Sequence, residues 1–238
     1  MKEIAFSGLW YWLILCAVAC YFIGCFNFAV LISHFKKKDI RNIGSGNPGT
    51  LNMTRTFGLK LGAVNFLCDI LKGGLPAVAV YFIFRNYVFA GTAVNVADFM
   101  RYFSGVFVVI GHIFPVTMKF KGGKGIASTL GLLGLGLTCE CGWYLPIVLV
   151  IGALTIGYIA LTEWGSMGSL IGVSVLTVWQ AVLFVLRYQN SLVNVWIISL
   201  FMILLFINIL TWGAHRKNIY KLLAGEEHHT SVIKRKNK

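Results

Sequence analysis

Residues 126–186 run for 61 positions without a lysine, an arginine or an aspartate, and Glu140 and Glu163 are the only formal charges among them. As helix, at 1.5 Å per residue, such a run is about 90 Å long, or three crossings of a roughly 30 Å hydrocarbon core. No soluble domain could clothe that much apolar chain with the polar residues present. Of 238 residues 58% are hydrophobic and only 12% charged, and mean hydropathy is +0.77. The expected fold is an all-α, polytopic membrane helical bundle. The 26 glycines against 4 prolines suit helices that pack closely through small residues in lipid.

The long run is expected to break near 139–143 and 162–166. The other spans read as 8–33, 57–84, 102–116 and 192–212, giving about seven transmembrane helices. The first is too long for a signal-peptide core and has no small-residue cleavage site, so it is expected to stay attached. Lys36, Lys37, Lys38 and Arg41 follow it, which places that end in the cytoplasm and the N-terminus outside. Residues 85–101 then form an outer loop, and an odd number of spans brings the C-terminus to the cytoplasm. On this topology 16 of the 21 Lys and Arg lie inside, Lys2, Arg85, Arg101 and Arg187 outside, and Lys72 within a span. A single integral-membrane domain over 1–227 and a basic cytoplasmic tail over 228–238 are expected. Cys16, Cys20, Cys25 and Cys68 sit in apolar runs as small hydrophobes. Cys139 and Cys141 border an outer loop and are too close in sequence to bond each other well.

Polar, glycine-rich stretches then gather on the cytoplasmic side, at 39–55, 111–128 and 215–226. The middle one holds Phe120-Lys121-Gly122-Gly123-Lys124-Gly125 directly after an apolar segment. Gly122, Gly123 and Gly125 permit a backbone that turns its N–H groups toward an anion, and Lys124 adds a full charge, so the loop reads either as a phosphate cradle or as a flexible basic turn. It is not a nucleotide P-loop, because Gly125 stands where Ser or Thr is needed and no glycine lies six positions before Lys124. The net charge of +13 is spread over loops beside spans without interleaved aromatics. Anionic headgroups and small anions are therefore the expected partners, and nucleic acid is not. No cofactor is expected.

The three stretches carry Gly-Ser-Gly-Asn-x-Gly-x-x-Asn-x-x-Arg at 44–55, Gly-His-x-Phe-Pro with Phe-Lys-Gly-Gly-Lys-Gly at 111–125, and His-Arg-x-Asn-Ile-x-x-Leu-x-x-Gly-Glu at 215–226. In this the chain resembles the bacterial acyl-phosphate:glycerol-3-phosphate acyltransferases over about residues 9–227. The resemblance implies a plasma-membrane enzyme with its active site on the cytoplasmic face. It implies acyl transfer from a fatty acyl phosphate to the 1-hydroxyl of glycerol 3-phosphate, giving lysophosphatidic acid and phosphate, in partnership with the enzyme that forms the acyl phosphate. Carried over by position, the essential residues are Ser45, Arg55, Lys124, His215 and Asn218. Ser45, His215 and Asn218 take catalytic roles; Arg55, Lys124, Asn52 and glycines 122, 123 and 125 bind phosphate or substrate. The chain departs from the family in Pro48 and Leu51, in Ile126-Ala127-Ser128, and in Glu163-Trp164-Gly165-Ser166 where a basic, serine-containing loop is usual; no phosphate contact is assigned to Ser166 or Ser169.

Acyl phosphate is already activated, so positioning and charge stabilisation suffice and no acyl-enzyme is required. The proton of the attacking hydroxyl goes either to His215 or to the departing phosphate. Ser45, between glycines and without an adjacent histidine, reads as a hydrogen-bond donor before a nucleophile. The run from His34 to Asp39 fits the His-x4-Asp pattern of another glycerolipid acyltransferase superfamily, but a basic stop after a span accounts for it. Asp69 and Lys72 share a helix face as a buried pair, structural or supporting the site. His112 is read as a helix-end or supporting residue. His228 and His229 lack further ligands for a metal. The rival reading, a transporter of an organic phosphate, calls for polar residues strung through the depth of the bilayer and paired half-chain repeats, and neither is visible.

Overall fold

The computed structural model describes residues 1–226. The tail over 228–238, with His228 and His229, lies outside the described residues. The chain is nearly all helix: α1 (Phe6–Cys25), α2 (Phe28–Phe35), α3 (Thr50–Phe57), α4 (Leu59–Phe84), α5 (Val96–Ile113), α6 (Ile126–Glu140), α7 (Tyr144–Thr162), α8 (Gly165–Arg187), α9 (Val195–Ala214) and α10 (Arg216–Leu223). Six segments, counting Phe6–Phe35 as one, are long and apolar enough to cross a membrane, and α6 is a shorter apolar helix. The long uncharged run divides as its sequence suggests. Helix α6 stops at Glu140, and α7 ends where Glu163 takes φ +61°.

Other features were not legible beforehand. A two-stranded parallel pair, β1 (Lys2–Ile4) with β2 (Tyr87–Phe89), ties the N-terminus to the α4–α5 connection. The first span is two helices, because the chain breaks at Phe26-Asn27. Asn27 caps α2 by accepting from the Val30 N–H at 3.0 Å, and its amide donates to the Pro48 carbonyl at 3.2 Å. The break frees the Phe26 carbonyl, which accepts from Lys72 Nζ at 2.8 Å. Lys72 and Asp69 form the expected ion pair on α4, 3.0 Å apart and almost fully buried, and that pair also anchors the α1–α2 break.

Packing is closest between α4 and α6. A Cβ at Gly73 would lie 2.0 Å from the Ser128 carbonyl oxygen, and one at Gly131 would lie 2.0 Å from that of Ile70. Only glycine lets the two backbones approach so far. Leu9, Ala77, Met100, Leu132, Val173 and Leu200 join α1, α4, α5, α6, α8 and α9 in one core. Helix α7 stands at the edge, with Ile159 its one buried residue.

Arg101 is a correction to the expected topology. The outer loop ends earlier, where Asn95 caps α5 by accepting from the Ala97 N–H at 2.8 Å, and Arg101 lies inside α5 with no exposed surface. It pairs with Asp98 at 3.0 Å and with Glu140, and donates to the Gly136 carbonyl at 2.9 Å. Arg187 pairs with the same two carboxylates, lying 2.8 Å from Asp98, and Tyr188 donates to Asp98 at 2.5 Å. Two arginines and two carboxylates from α5, α6 and α8 thus balance one another's charge where each alone would be costly to bury.

Candidate active site

The first motif is held by a small core of its own. Ala29, Ile40 and Met53 are fully buried together and pack α2, the turn at Ile40–Asn42 and α3 into one unit. Asn52 is the hub of the loop inside it. Its Oδ1 accepts from the Ser45 N–H at 3.2 Å, and its Nδ2 donates to the carbonyls of Ile40 at 3.2 Å and Ile43 at 2.9 Å. Asn52 is 1% exposed, so its amide shapes the loop; the side chains left facing outward are Ser45 and Arg55. The Ser45 Oγ accepts from the backbone N–H of Asn47 at 3.5 Å, a turn contact and not a pairing with a base.

The second motif folds back on the helix it leaves. The N–H groups of Gly122 and Gly123 donate to the carbonyls of Ile113 and His112, both at 3.1 Å, and so use acceptors that the last turn of α5 leaves unmatched. These two amides are spent on the fold, contrary to the expectation that they turn toward an anion. The close approach explains the glycines: a Cβ at Gly123 would lie 2.3 Å from His112 Nε2. Gly125 takes φ +81° and starts α6, whose first-turn N–H groups are unmatched within the helix. Beneath the loop, His112 Nδ1 stands 3.7 Å from Asp69 Oδ1, too far for a hydrogen bond, while Asn65 Nδ2 donates to Asp69 at 3.1 Å.

The third motif turns α9 into α10. His215 is 3% exposed at the junction, and its Nδ1 is 2.8 Å from the Thr211 carbonyl. A carbonyl only accepts, so Nδ1 carries the proton and the Nε2 lone pair is left. Burial, then the charge of Lys124, push the imidazole pKa down to about 4, with the Thr211 contact opposing. Lys124 Nζ donates to Asn218 Oδ1 at 2.5 Å, joining motifs 94 positions apart.

Ser45, Asn52, Arg55, Gly122, Gly123, Lys124, Gly125, His215 and Asn218 all line one cavity of about 1690 Å³. Its head is strongly cationic. Arg41, Arg55, Lys119, Lys121, Lys124, Arg216, Lys217 and Lys221 line it, against Asp69 as the single carboxylate among the described residues that line it. Helices α3, α6, α8 and α10 each begin at a lining residue. From this head an apolar groove descends between α6, α7, α8 and α9, past Leu130, Leu135, Val148, Ile156, Leu176 and Ile209. Ser166 and Ser169, left without a contact in the sequence reading, both reach the cavity, and their three-residue spacing after Gly165 was a usable signal. The groove had no such signal, since every membrane helix is apolar. A cationic head joined to an apolar groove can hold a phosphate on an acyl chain beside a second, water-soluble phosphate.

Residues 14–225 match the family described as Glycerol-3-phosphate acyltransferase. Among curated proteins, a glycerol-3-phosphate acyltransferase of Mycoplasma pneumoniae is 35% identical over 90% of this chain and 92% of its own length. One of Thermoanaerobacter pseudethanolicus is 36% identical over 90% and 93%. The crystal structure of PlsY (YgiH), an integral membrane glycerol 3-phosphate acyltransferase, in its glycerol 3-phosphate form, superposes with a TM-score of 0.70. The two are 28% identical, over 91% of this chain and 94% of that one. The lysophosphatidic acid form of PlsY superposes with a TM-score of 0.68.

Proposed function

The chain belongs to the glycerol-3-phosphate acyltransferase family, an integral membrane acyltransferase of phospholipid synthesis, and from that premise we propose that its donor is a fatty acyl phosphate and its product 1-acyl-glycerol 3-phosphate. The observation that carries this reading is the continuity of the cationic head with the apolar groove in one cavity. An acyl phosphate needs no more than that, whereas acyl-CoA would need a further site for its nucleotide. Lys124 and Arg55 hold the two phosphates by charge-assisted contacts. The 1-hydroxyl oxygen attacks the acyl carbonyl carbon, the carbon–oxygen bond to phosphate breaks, and phosphate leaves with the electron pair. The Asn218 amide and the first turn of α6 steady the transient oxyanion. The hydroxyl proton passes to the departing phosphate, and His215, its Nδ1–H held by the Thr211 carbonyl, orients the hydroxyl by accepting its hydrogen bond through Nε2. Purified protein is expected to form 1-acyl-glycerol 3-phosphate from palmitoyl phosphate and not from palmitoyl-CoA. Equal or faster turnover of palmitoyl-CoA would refute the donor assignment.

The site then faces the cytoplasm of a bacterial plasma membrane, where the enzyme that forms acyl phosphate can supply it. Seven crossings, α6 included, run from an outer N-terminus to an inner C-terminus; the charge distribution supports this orientation. Cys139 and Cys141, at the end of α6, are the half-buried thiols of the opposite face. A membrane-impermeant maleimide on sealed cells is expected to label them and to spare a cysteine introduced at Phe120 in the lysine loop. Labelling of the Phe120→Cys position and not of Cys139 and Cys141 reverses the topology.

A further inference from the structure

Gly152 lies on the wall of the groove at a level where both deeper and shallower residues of α7 also line it. The cavity continues from it to Ile159 on the side of the cationic head and to Leu145 on the far side. Each is seven residues away, about 10 Å of helix. A Cβ at Gly152 would have no atom within 4 Å, so a side chain there would grow into the groove and not into a neighbouring helix. Gly213 on α9 also lines the cavity with open space around it, but it stands two residues from His215, at the head of the cavity and not along the groove. A Cβ at Gly134 on α6 would lie 3.0 Å from Val148 Cγ1, and growth there runs into α7. Helix α7 has another glycine with open space, Gly157, which is not among the residues lining the cavity.

We propose that Gly152 sets the length of acyl chain the enzyme accepts, as the position where the bare helix backbone leaves the groove open to its far end. The inference rests on the acyl phosphate donor proposed above. A chain that stops short of Gly152 is indifferent to what stands there. A longer one passes it and places its terminal methylenes between Gly152 and Leu145, where a side chain at 152 denies them contact with the groove walls and weakens transition-state binding. The residue acts by steric exclusion alone, so its effect grades with side-chain volume. Phenylalanine is a better helix former than glycine, and substitution at this position carries no helix penalty.

The test measures kcat/KM for octanoyl, lauroyl and palmitoyl phosphate with the unsubstituted enzyme, Gly152→Ala, Gly152→Phe and Gly157→Phe. Gly152→Phe is expected to lose palmitoyl phosphate turnover at least about tenfold more than octanoyl phosphate turnover. Gly152→Ala should fall between it and the parent, and Gly157→Phe should keep the parental profile. An unchanged chain-length profile in Gly152→Phe overturns the inference, as does a loss equal for all three donors. So does a shift of the same size in Gly157→Phe. An unsubstituted enzyme inactive with every acyl phosphate is a different result: it removes the donor assignment itself, and the inference with it.

Discussion

Lys124→Met is expected to lower kcat/KM by about a thousandfold or more, equivalent to roughly 4 kcal/mol of transition-state stabilisation, while the protein still inserts and folds. Lys124 stands one residue before the N-cap of α6 and is only partly buried, so methionine replaces its stem without opening the core. What it removes is the charge nearest the first-turn amides and the donor that holds Asn218 Oδ1 at 2.5 Å. The third motif then loses that contact with the second, and Asn218 Oδ1 loses its charged donor. Lys124→Arg keeps the charge but sets a longer, planar group against an acceptor already at short range, and partial loss is expected. Steady-state kinetics on purified variants, with thermal unfolding in detergent as the check on folding, decide the matter. Near-normal kcat/KM in Lys124→Met would show that Lys124 does not hold the reacting phosphate.

The second large effect concerns His215. His215→Leu is expected to lower kcat/KM by about a hundredfold or more, because the attacking hydroxyl loses its acceptor, whereas His215→Gln, whose amide oxygen still accepts, should retain more activity and leave the shape of the pH profile unchanged. Burial and Lys124 hold the imidazole pKa down to about 4. His215 is therefore neutral across the working range and contributes no limb near its ordinary 6.5. If the parent enzyme shows a limb that disappears in His215→Gln, the histidine itself takes the proton and the departing phosphate does not. Stability follows the same displacement. The unfolded chain binds a proton at His215 as pH falls through 6.5, and the folded chain resists until about 4. Stability is thus fully present above about 6.5 and declines below it, by roughly 3 kcal/mol once pH has passed 4. His215→Gln, which does not titrate, should show a smaller fall in Tm between about pH 7 and about pH 5 than the parent.

The membrane fold was legible because lipid imposes a simple condition on a chain: every crossing needs a helix-length apolar run, and charges gather where it ends. That condition placed the breaks on either side of α7 near 139–143 and 162–166, and the structure has them slightly narrower, between Glu140 and Tyr144 and between Thr162 and Gly165. The same condition misjudged Arg101. A cation near a span end is normally solvated, and only the arrival of Glu140 from α6, beside Asp98 and Arg187, allows this one to be buried. The break at Phe26-Asn27 was equally hidden, since the residues on both sides are apolar and its stabilisers, Pro48 and Lys72, come from later in the chain.

In the site, motif residues that differ in what they do look alike in sequence. Ser45 and Asn52 belong to one motif, but the Asn52 amide is consumed by Ile40, Ile43 and Ser45, while Ser45 and Arg55 are left at the cavity. Gly122, Gly123 and Gly125 read as three equivalent cradle glycines, yet two give their N–H groups to the end of α5 and the third starts a helix. Sequence by itself determined the membrane class, the apolar helical segments, the three polar stretches and the residue types that could meet a phosphate, because each depends on local composition and on spacing along one helix or loop. The tertiary structure alone decided that Lys124 meets Asn218, that His215 is buried, and that an apolar groove leads away from the cationic head. Those facts depend on which helices pack against one another, and in a chain where nearly every helix is apolar no pattern of hydrophobicity distinguishes the face that borders a cavity from the face that borders lipid.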